Sequence, residues 1–254
     1  MKRALIFTGQ GEKMQTENPQ LDTFRVCMKL AKQLMRDGIK PDATAGLSLG
    51  EYASLAIAKV FTEDDLGKIL EFRQKIMDEA LQNTDTGMVA CIGASADEIQ
   101  AEVTKCHLEI TNYNSPIQVV VGGKNSDLRL FKNELSTRND ISLIDMPTNG
   151  AFHSSYLQDA SDEMLRYLAE FEVKTPIIPI YHNLTGQKDA EDIRETMAKH
   201  ISHPVLFQKD IENMIKDSVD EFYVIGIGTA PVNLIRQISK AVGAKVKVVK
   251  VAES

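Results

Sequence analysis

Short apolar runs alternate with longer amphipathic ones along most of the chain. The amphipathic stretches place apolar residues at helical spacing and are separated by runs with the composition of buried strands. We predict strands over residues 4–7, 43–45, 177–181, 221–225 and 245–251. We predict helices over residues 21–36, 51–59, 63–81, 156–171, 191–200, 205–216 and 231–241. This alternation predicts an α/β fold with a parallel sheet covered by helices.

Residues 87–147 follow a different pattern. Strands are predicted at 88–92, 108–111, 118–121 and 141–144, with helices at 95–105 and 126–135. The two middle strands are expected to join through Asn114, Ser115 and Pro116. The order βαββαβ predicts a small ferredoxin-like domain over 87–147, inserted into a large α/β-hydrolase-like catalytic domain formed by 1–86 and 148–254.

A candidate nucleophile stands between a predicted strand and a predicted helix. Residues 46–50 read Gly-Leu-Ser-Leu-Gly and are followed by a helix-forming run. A serine at a sharp strand-to-helix turn needs glycines beside it, and the helix N-terminus can stabilise an oxyanion. Ser48 is therefore the candidate, although Gly and Ser are also common in ordinary loops.

Composition and charge exclude several classes of function. The 254 residues are 43% hydrophobic and 26% charged, as in ordinary globular proteins, and carry a net charge of −7. That charge disfavours nucleic acid and anionic membranes as partners. No apolar run is long enough to span a bilayer, and the N-terminus turns polar too early for a signal peptide, so we expect a cytoplasmic protein. Cys27, Cys91 and Cys106 lack metal-ligand spacing, and no metal site is predicted.

A serine nucleophile needs a base, and five histidines are available. His153 is the best candidate because it lies in a loop after the small domain, from which it can point back over the large one. His107 is expected at a strand edge on the surface. His182, His200 and His203 are expected to be structural or solvated.

Six ordered motifs carry a family resemblance. They stand at residues 7–11, 46–52, 71–77, 112–116, 150–155 and 225–228, and read FTGQG, GLSLGEY, EFRQKIM, NYNSP, GAFHSS and IGIG. Together they resemble the malonyl-CoA:acyl carrier protein transacylases, the acyltransferases of fatty acid and polyketide synthesis. The resemblance covers nearly the whole chain, but it does not tell which of the two pathways is served.

The resemblance implies a ping-pong transfer from malonyl-CoA to an acyl carrier protein, with no further cofactor. Ser48 would be acylated, and His153 would act as base and acid. The backbone carbonyl of His200 would orient His153; the identity of that side chain is expected to matter little. Backbone N–H groups of Gln10 and Leu49 would form the oxyanion hole.

Three further residues are implied to bind the substrate. Arg73 would hold the malonyl carboxylate through two hydrogen bonds, although a solvated arginine is the alternative from the helix pattern alone. Phe152 would favour unbranched malonyl units. Asn114 would line the cleft near the thioester, or alternatively form the turn before Ser115 and Pro116.

The chain departs from the family in ways that leave other functions open. Thr8 replaces a usual proline, Leu47 replaces a frequent histidine, and the segment between Gln10 and Ser48 is several dozen residues short. We expect the shortening to expose apolar surface that a partner or a second copy of the chain covers, as in a homodimer. The alternatives to malonyl transfer are a proofreading acyl hydrolase on the same scaffold and a non-catalytic carrier-protein docking module.

Overall fold

Two β-sheets form the centre of the molecule. The computed structural model describes residues 1–10 and 16–251; Gly11, in the first of the six motifs, lies outside this part. The strands in chain order are β1 Lys2–Phe7, β2 Ala43–Gly46, β3 Thr86–Ile92, β4 Glu109–Ser115, β5 Gln118–Lys124, β6 Ser142–Asp145, β7 Ile180–His182, β8 Gln187–Lys188, β9 Val219–Ile225 and β10 Lys247–Val251.

Nine α-helices are described in the same residues. They are α1 Pro19–Arg36, α2 Gly50–Ile57, α3 Glu63–Leu81, α4 Ala96–Lys105, α5 Asn125–Glu134, α6 Gln158–Leu168, α7 Ile193–Ser202, α8 Phe207–Lys216 and α9 Ala230–Ala241, and a 3₁₀ turn spans Ser155–Leu157. Side-chain caps begin the two longest helices: Asn18 accepts from the N–H of Leu21, and Thr62 accepts from that of Asp65. No helix in the described residues is long and apolar enough to cross a membrane.

The larger sheet has the order β10-β9-β1-β2-β7-β8 and is parallel except at its β7–β8 edge. Strand β1 is completely buried from Ala4 to Phe7. Leu5 and Phe7 pack in the same core as α1, α2 and α3, whereas Ala4 and Ile6 pack with α8 and α9. The sheet is thus covered by helices on both faces, which explains why β1 is a continuous apolar run.

The smaller sheet has the order β4-β5-β3-β6, with antiparallel pairing throughout. Along the chain, α4 follows β3 and α5 follows β5, so the structure contains the predicted order βαββαβ. Strand β4 pairs with the connection between α7 and α8, where the N–H of Tyr113 donates to the carbonyl of Val205 at 2.8 Å and the N–H of Val205 donates to that of Thr111 at 2.9 Å. The predicted mixed α/β architecture is confirmed.

Three local predictions are wrong. Strand β4 continues through Asn114 and Ser115, so these residues do not form the turn to β5, which needs only the two residues that follow. The helix predicted over residues 156–171 begins as a 3₁₀ turn and ends at Leu168. The strand predicted over 177–181 begins only at Ile180; the short antiparallel strand β8, which pairs with it, was not predicted.

Candidate active site

Ser48 lies at a tight turn between β2 and α2. Its backbone adopts a left-handed conformation with φ of 52°. A Cβ atom on Gly46 would lie 2.0 Å from the carbonyl carbon of Gly50, and one on Gly50 would lie 2.3 Å from the carbonyl oxygen of Phe7. Because no side chain fits at either position, the two glycines allow the turn to pack against the end of β1.

Ser48 and His153 are hydrogen bonded. The Oγ atom of Ser48 lies 2.6 Å from Nε2 of His153, although the two residues are 105 positions apart in sequence. The backbone N–H of Ser48 donates to Oδ1 of Asn183 at 2.7 Å, and Nδ2 of Asn183 donates to the carbonyl of Gly46, also at 2.7 Å. The side chain of Asn183 therefore holds both sides of the strained turn.

His153 is oriented by a backbone carbonyl. Its Nδ1 atom lies 2.8 Å from the carbonyl oxygen of His200, so Nδ1 carries the proton and Nε2 is free to accept one from Ser48. The pKa of His153 is lowered to about 4, mainly by burial and also by the charge of Arg73. A site with this geometry can deprotonate the Ser48 hydroxyl whenever His153 is neutral.

A buried polar cluster lies behind this pair, and the sequence did not predict it. Glu51 accepts from Nδ1 of His182 at 2.7 Å and from the backbone N–H of Asn183 at 3.2 Å, and it lies 3.4 Å from Nδ1 of His200. The ring of His200 stacks on that of His153 with centroids 4.9 Å apart. The side chain of His200 therefore contacts the candidate base, in addition to the contact that its carbonyl makes.

Two histidines, His107 and His203, lie outside this cluster. His107 is exposed in the turn after α4 rather than at a strand edge, and the exposed ring of His203 contacts the carbonyl of Lys199. His182, expected to be structural or solvated, is fully buried. The position of Glu51 immediately after the Gly-x-Ser-x-Gly turn was the only sequence signal for the cluster.

A cavity of about 370 Å³ opens above Ser48 between the two sheets. Residues of the smaller sheet line it, together with the loops that follow β1, β2 and β9 of the larger sheet. The predicted site residues among them are Gln10, Ser48, Leu49, Arg73, Asn114, Phe152 and His153. The structure thus gathers these seven residues, and His200 lies behind them.

The loop after β1 lies against the nucleophile turn. The N–H of Leu47 donates to the carbonyl of Phe7 at 2.9 Å, and a Cβ atom on Gly9 would lie 2.6 Å from the carbonyl oxygen of Leu47. This close approach brings Gln10 and Leu49 to the same wall of the cavity. Two backbone N–H groups at such a wall are the usual components of an oxyanion hole.

Arg73 is a buried cation in the cavity wall. Its side chain extends from α3, and the residue is only 3% exposed. The NH1 atom donates to Oε1 of Gln20 at 2.5 Å, and the guanidinium carbon lies 5.4 Å from the centroid of the Tyr52 ring. Its Nε atom has no hydrogen-bond partner, and no carboxylate pairs with Arg73 in the described part of the chain. A buried charge without a counter-ion is costly, so the site favours an anionic ligand.

Asn114 and Phe152 also line the cavity. Asn114 is buried on β4, and its Oδ1 atom lacks a hydrogen-bond partner. Phe152 is half-buried and packs against Met88, Ala90 and Val120 of the smaller sheet. Asn114 therefore offers a free polar group to a ligand, and Phe152 narrows the space beside His153. Among the described residues, no three His, Cys, Asp or Glu side chains are grouped to hold a metal ion.

Comparisons with known proteins extend the geometric findings. Residues 3–254 match the acyl transferase domain family. The chain is 32% identical over 206 residues to the polyketide biosynthesis protein ThaF of Burkholderia thailandensis. The matched region covers 80% of this chain but only 18% of ThaF. It is 30% identical over 246 residues to the malonyl CoA-acyl carrier protein transacylase of Staphylococcus aureus strain MRSA252, covering 93% of this chain and 79% of that protein.

A solved structure shares the whole fold. The crystal structure of malonyl CoA-acyl carrier protein transacylase from Clostridium perfringens superposes with a TM-score of 0.92 and 25% sequence identity. The match covers 100% of this chain and 94% of that one. The overall fold is thus found in both proteins.

Proposed function

The chain belongs to the acyl transferase domain family and is an acyltransferase, and on that premise we propose that it transfers a malonyl group. The donor would be malonyl-CoA and the acceptor the phosphopantetheine thiol of an acyl carrier protein. The observation that carries this proposal is the buried Arg73, which lines the cavity beside Ser48 without a carboxylate partner in the described residues. A malonyl group brings the missing carboxylate to that place, whereas an acetyl group does not.

The first half of the reaction acylates Ser48. His153 takes the proton from Oγ as that oxygen attacks the thioester carbonyl, and the N–H groups of Gln10 and Leu49 stabilise the resulting oxyanion. The carbon–sulfur bond then breaks, and His153 returns the proton to the departing thiolate of CoA. The hydrogen bond from Nδ1 to the carbonyl of His200 keeps the ring oriented through both proton transfers.

The second half repeats these steps with a different thiol. CoA leaves, the phosphopantetheine arm of the carrier protein enters the cavity, and His153 accepts its thiol proton as the sulfur attacks the malonyl ester of Ser48. The carbon–oxygen bond breaks and Ser48 recovers its proton from His153. The malonyl group is transferred without net oxidation or hydrolysis, so the scheme needs no cofactor beyond malonyl-CoA itself.

Selectivity rests on two residues in this proposal. The planar guanidinium of Arg73 holds the malonyl carboxylate through parallel hydrogen bonds, one of them from the unpartnered Nε. Phe152 fills space beside the α-carbon and favours unbranched malonyl units. Asn114 supports the thioester side of the substrate through its free amide oxygen.

The experiment that tests the proposal separates transfer from its two alternatives. Purified protein is mixed with malonyl-CoA and a carrier protein bearing phosphopantetheine, and CoA, malonyl-carrier protein and free malonate are measured together. We expect each CoA released to be matched by one malonyl-carrier protein, with the parallel double-reciprocal plots of a ping-pong reaction. Free malonate formed at the same rate with or without carrier would indicate the acyl hydrolase instead. Carrier binding without any CoA release would indicate the docking module.

A further inference from the structure

The guanidinium of Arg73 is held by a neutral side chain. Gln20 is the second residue of α1 and is only 4% exposed. Its Oε1 atom accepts from NH1 of Arg73 at 2.5 Å, and its backbone N–H donates to Oε1 of Gln74 at 3.3 Å. Gln74 follows Arg73 on α3, so two hydrogen bonds join the start of α1 to the part of α3 that carries the cation.

The neutrality of Gln20 has an electrostatic consequence. A carboxylate in its place would pair with Arg73 and offset most of its charge, because opposite charges in contact attract each other strongly in a buried site of low dielectric constant. The amide oxygen accepts a hydrogen bond of the same geometry without cancelling the charge. Gln20 also lines the cavity above Ser48, so it lies where a bound acyl group meets Arg73.

We infer that Gln20 is a specificity-determining residue: it positions the Arg73 guanidinium while leaving its positive charge for an acyl group that carries a carboxylate. This inference rests on the proposed malonyl transfer. It assigns the selectivity of that transfer to two residues, the cation Arg73 and the neutral Gln20 that positions it. The competing explanation is that Gln20 only packs α1 against α3 and has no influence on which acyl group is accepted.

Two substitutions of Gln20 separate the explanations, because each explanation predicts that a different one of the two lowers malonyl loading more. Gln20→Glu keeps the shape and the acceptor atom but adds a negative charge. Gln20→Leu removes the hydrogen bond and adds no charge. If charge decides selectivity, Gln20→Glu is the more harmful change for malonyl loading; if packing and the hydrogen bond decide, Gln20→Leu is.

The experiment measures kcat/KM for loading of Ser48 from malonyl-CoA and from acetyl-CoA. We expect Gln20→Glu to lower the malonyl-to-acetyl ratio by about 100-fold, mainly through malonyl. Gln20→Leu should lower the ratio by roughly three- to tenfold by loosening the cation. The matched control is Gln33→Glu, the same chemical change at an exposed position on the same helix, which should leave the ratio unchanged.

Folding and the proposed function are checked in the same series. Thermal unfolding of each variant shows whether it is folded, and Gln20→Asp, which brings the same charge on a shorter side chain, replaces Gln20→Glu if that protein does not fold. A wild-type enzyme that loads acetyl as readily as malonyl would overturn the proposed function itself. A selective wild type, an Arg73→Ala variant without selectivity and a Gln20→Glu variant within about threefold of the wild-type ratio would overturn the role of Gln20 alone.

Discussion

His153 is an unusual base because burial and a nearby cation both favour its neutral form. A histidine must be neutral to accept the proton of Ser48, so a pKa lowered to about 4 keeps it competent at every pH above that value. The same low pKa makes it a weak base in the free enzyme. A carboxylate bound to Arg73 would cancel part of the charge that lowers this pKa, and His153 would become more basic when the substrate is in place.

The low pKa of His153 and its dependence on Arg73 predict how Ser48 acylation varies with pH. For acetyl-CoA, which leaves the charge of Arg73 uncompensated, kcat/KM should not respond to His153 between about pH 8 and pH 5 and should fall as the pH drops through about 4. Arg73→Ala removes one of the two causes and should move this acid limb upward, toward the ordinary value of 6.5 but not to it, because burial remains. Stopped-flow measurement of CoA release gives the profile.

The control for this shift is Arg129→Ala, which removes an exposed arginine and should leave the acid limb in place. An acid limb that stays put or moves downward in Arg73→Ala would contradict the electrostatic link between Arg73 and His153.

Some residues of the site can be predicted from the sequence and others cannot. Ser48, His153 and Arg73 stand in local motifs whose order resembles a known family, and the structure brings all three to one cavity. Gln20 and Asn183 do not belong to a local sequence motif that indicates a role. Their contacts with Arg73 and Ser48 span 53 and 135 positions in sequence and exist only after the helices and sheets have packed.

The strand–turn–helix unit from β2 to α2 depends on its glycines. Gly46→Ala would place a Cβ atom 2.0 Å from the carbonyl carbon of Gly50, in backbone that cannot move without displacing Ser48. We expect this change to lower the free energy of unfolding by more than about 3 kcal/mol and to abolish acylation. Chemical denaturation with fluorescence or circular dichroism measures the loss.

A second glycine in a neighbouring helix provides the matched control. A Cβ atom on Gly67, inside α3, meets only Cδ1 of Leu21 at an ordinary 3.8 Å. Gly67→Ala should therefore raise the free energy of unfolding by about 0.5–1 kcal/mol through helix propensity and leave acylation intact. Equal effects of the two substitutions would show that the tight packing of the turn is not what requires Gly46.

The boundaries of an element were predicted correctly where a capping residue and the apolar periodicity indicated the same range. The range of α3 was predicted correctly because Thr62 caps it and its apolar positions repeat at helical spacing. The turn after β4 was predicted too early because Asn114 and the two residues after it are of types common in turns. The pairing of β4 with β5 instead keeps Asn114 in the sheet.

The assembly state of the whole chain remains a prediction. The family resemblance implies a shortening between Gln10 and Ser48, and we expect a partner or a second copy of the chain to cover the apolar surface that it would expose. Multi-angle light scattering at micromolar concentration should then give a mass above that of one chain. A clean monomer mass would contradict the homodimer.

The central claim is that one cavity combines a serine nucleophile with a buried cation that selects a carboxylate-bearing acyl group. Intact-mass spectrometry after incubation with malonyl-CoA or acetyl-CoA tests both parts at once. We predict one malonyl adduct on the wild-type protein, little acetyl adduct, no adduct on Ser48→Ala and an unchanged adduct on the exposed control Ser126→Ala. Equal or preferential loading of acetyl groups, or malonylation that survives in Ser48→Ala, would contradict the claim.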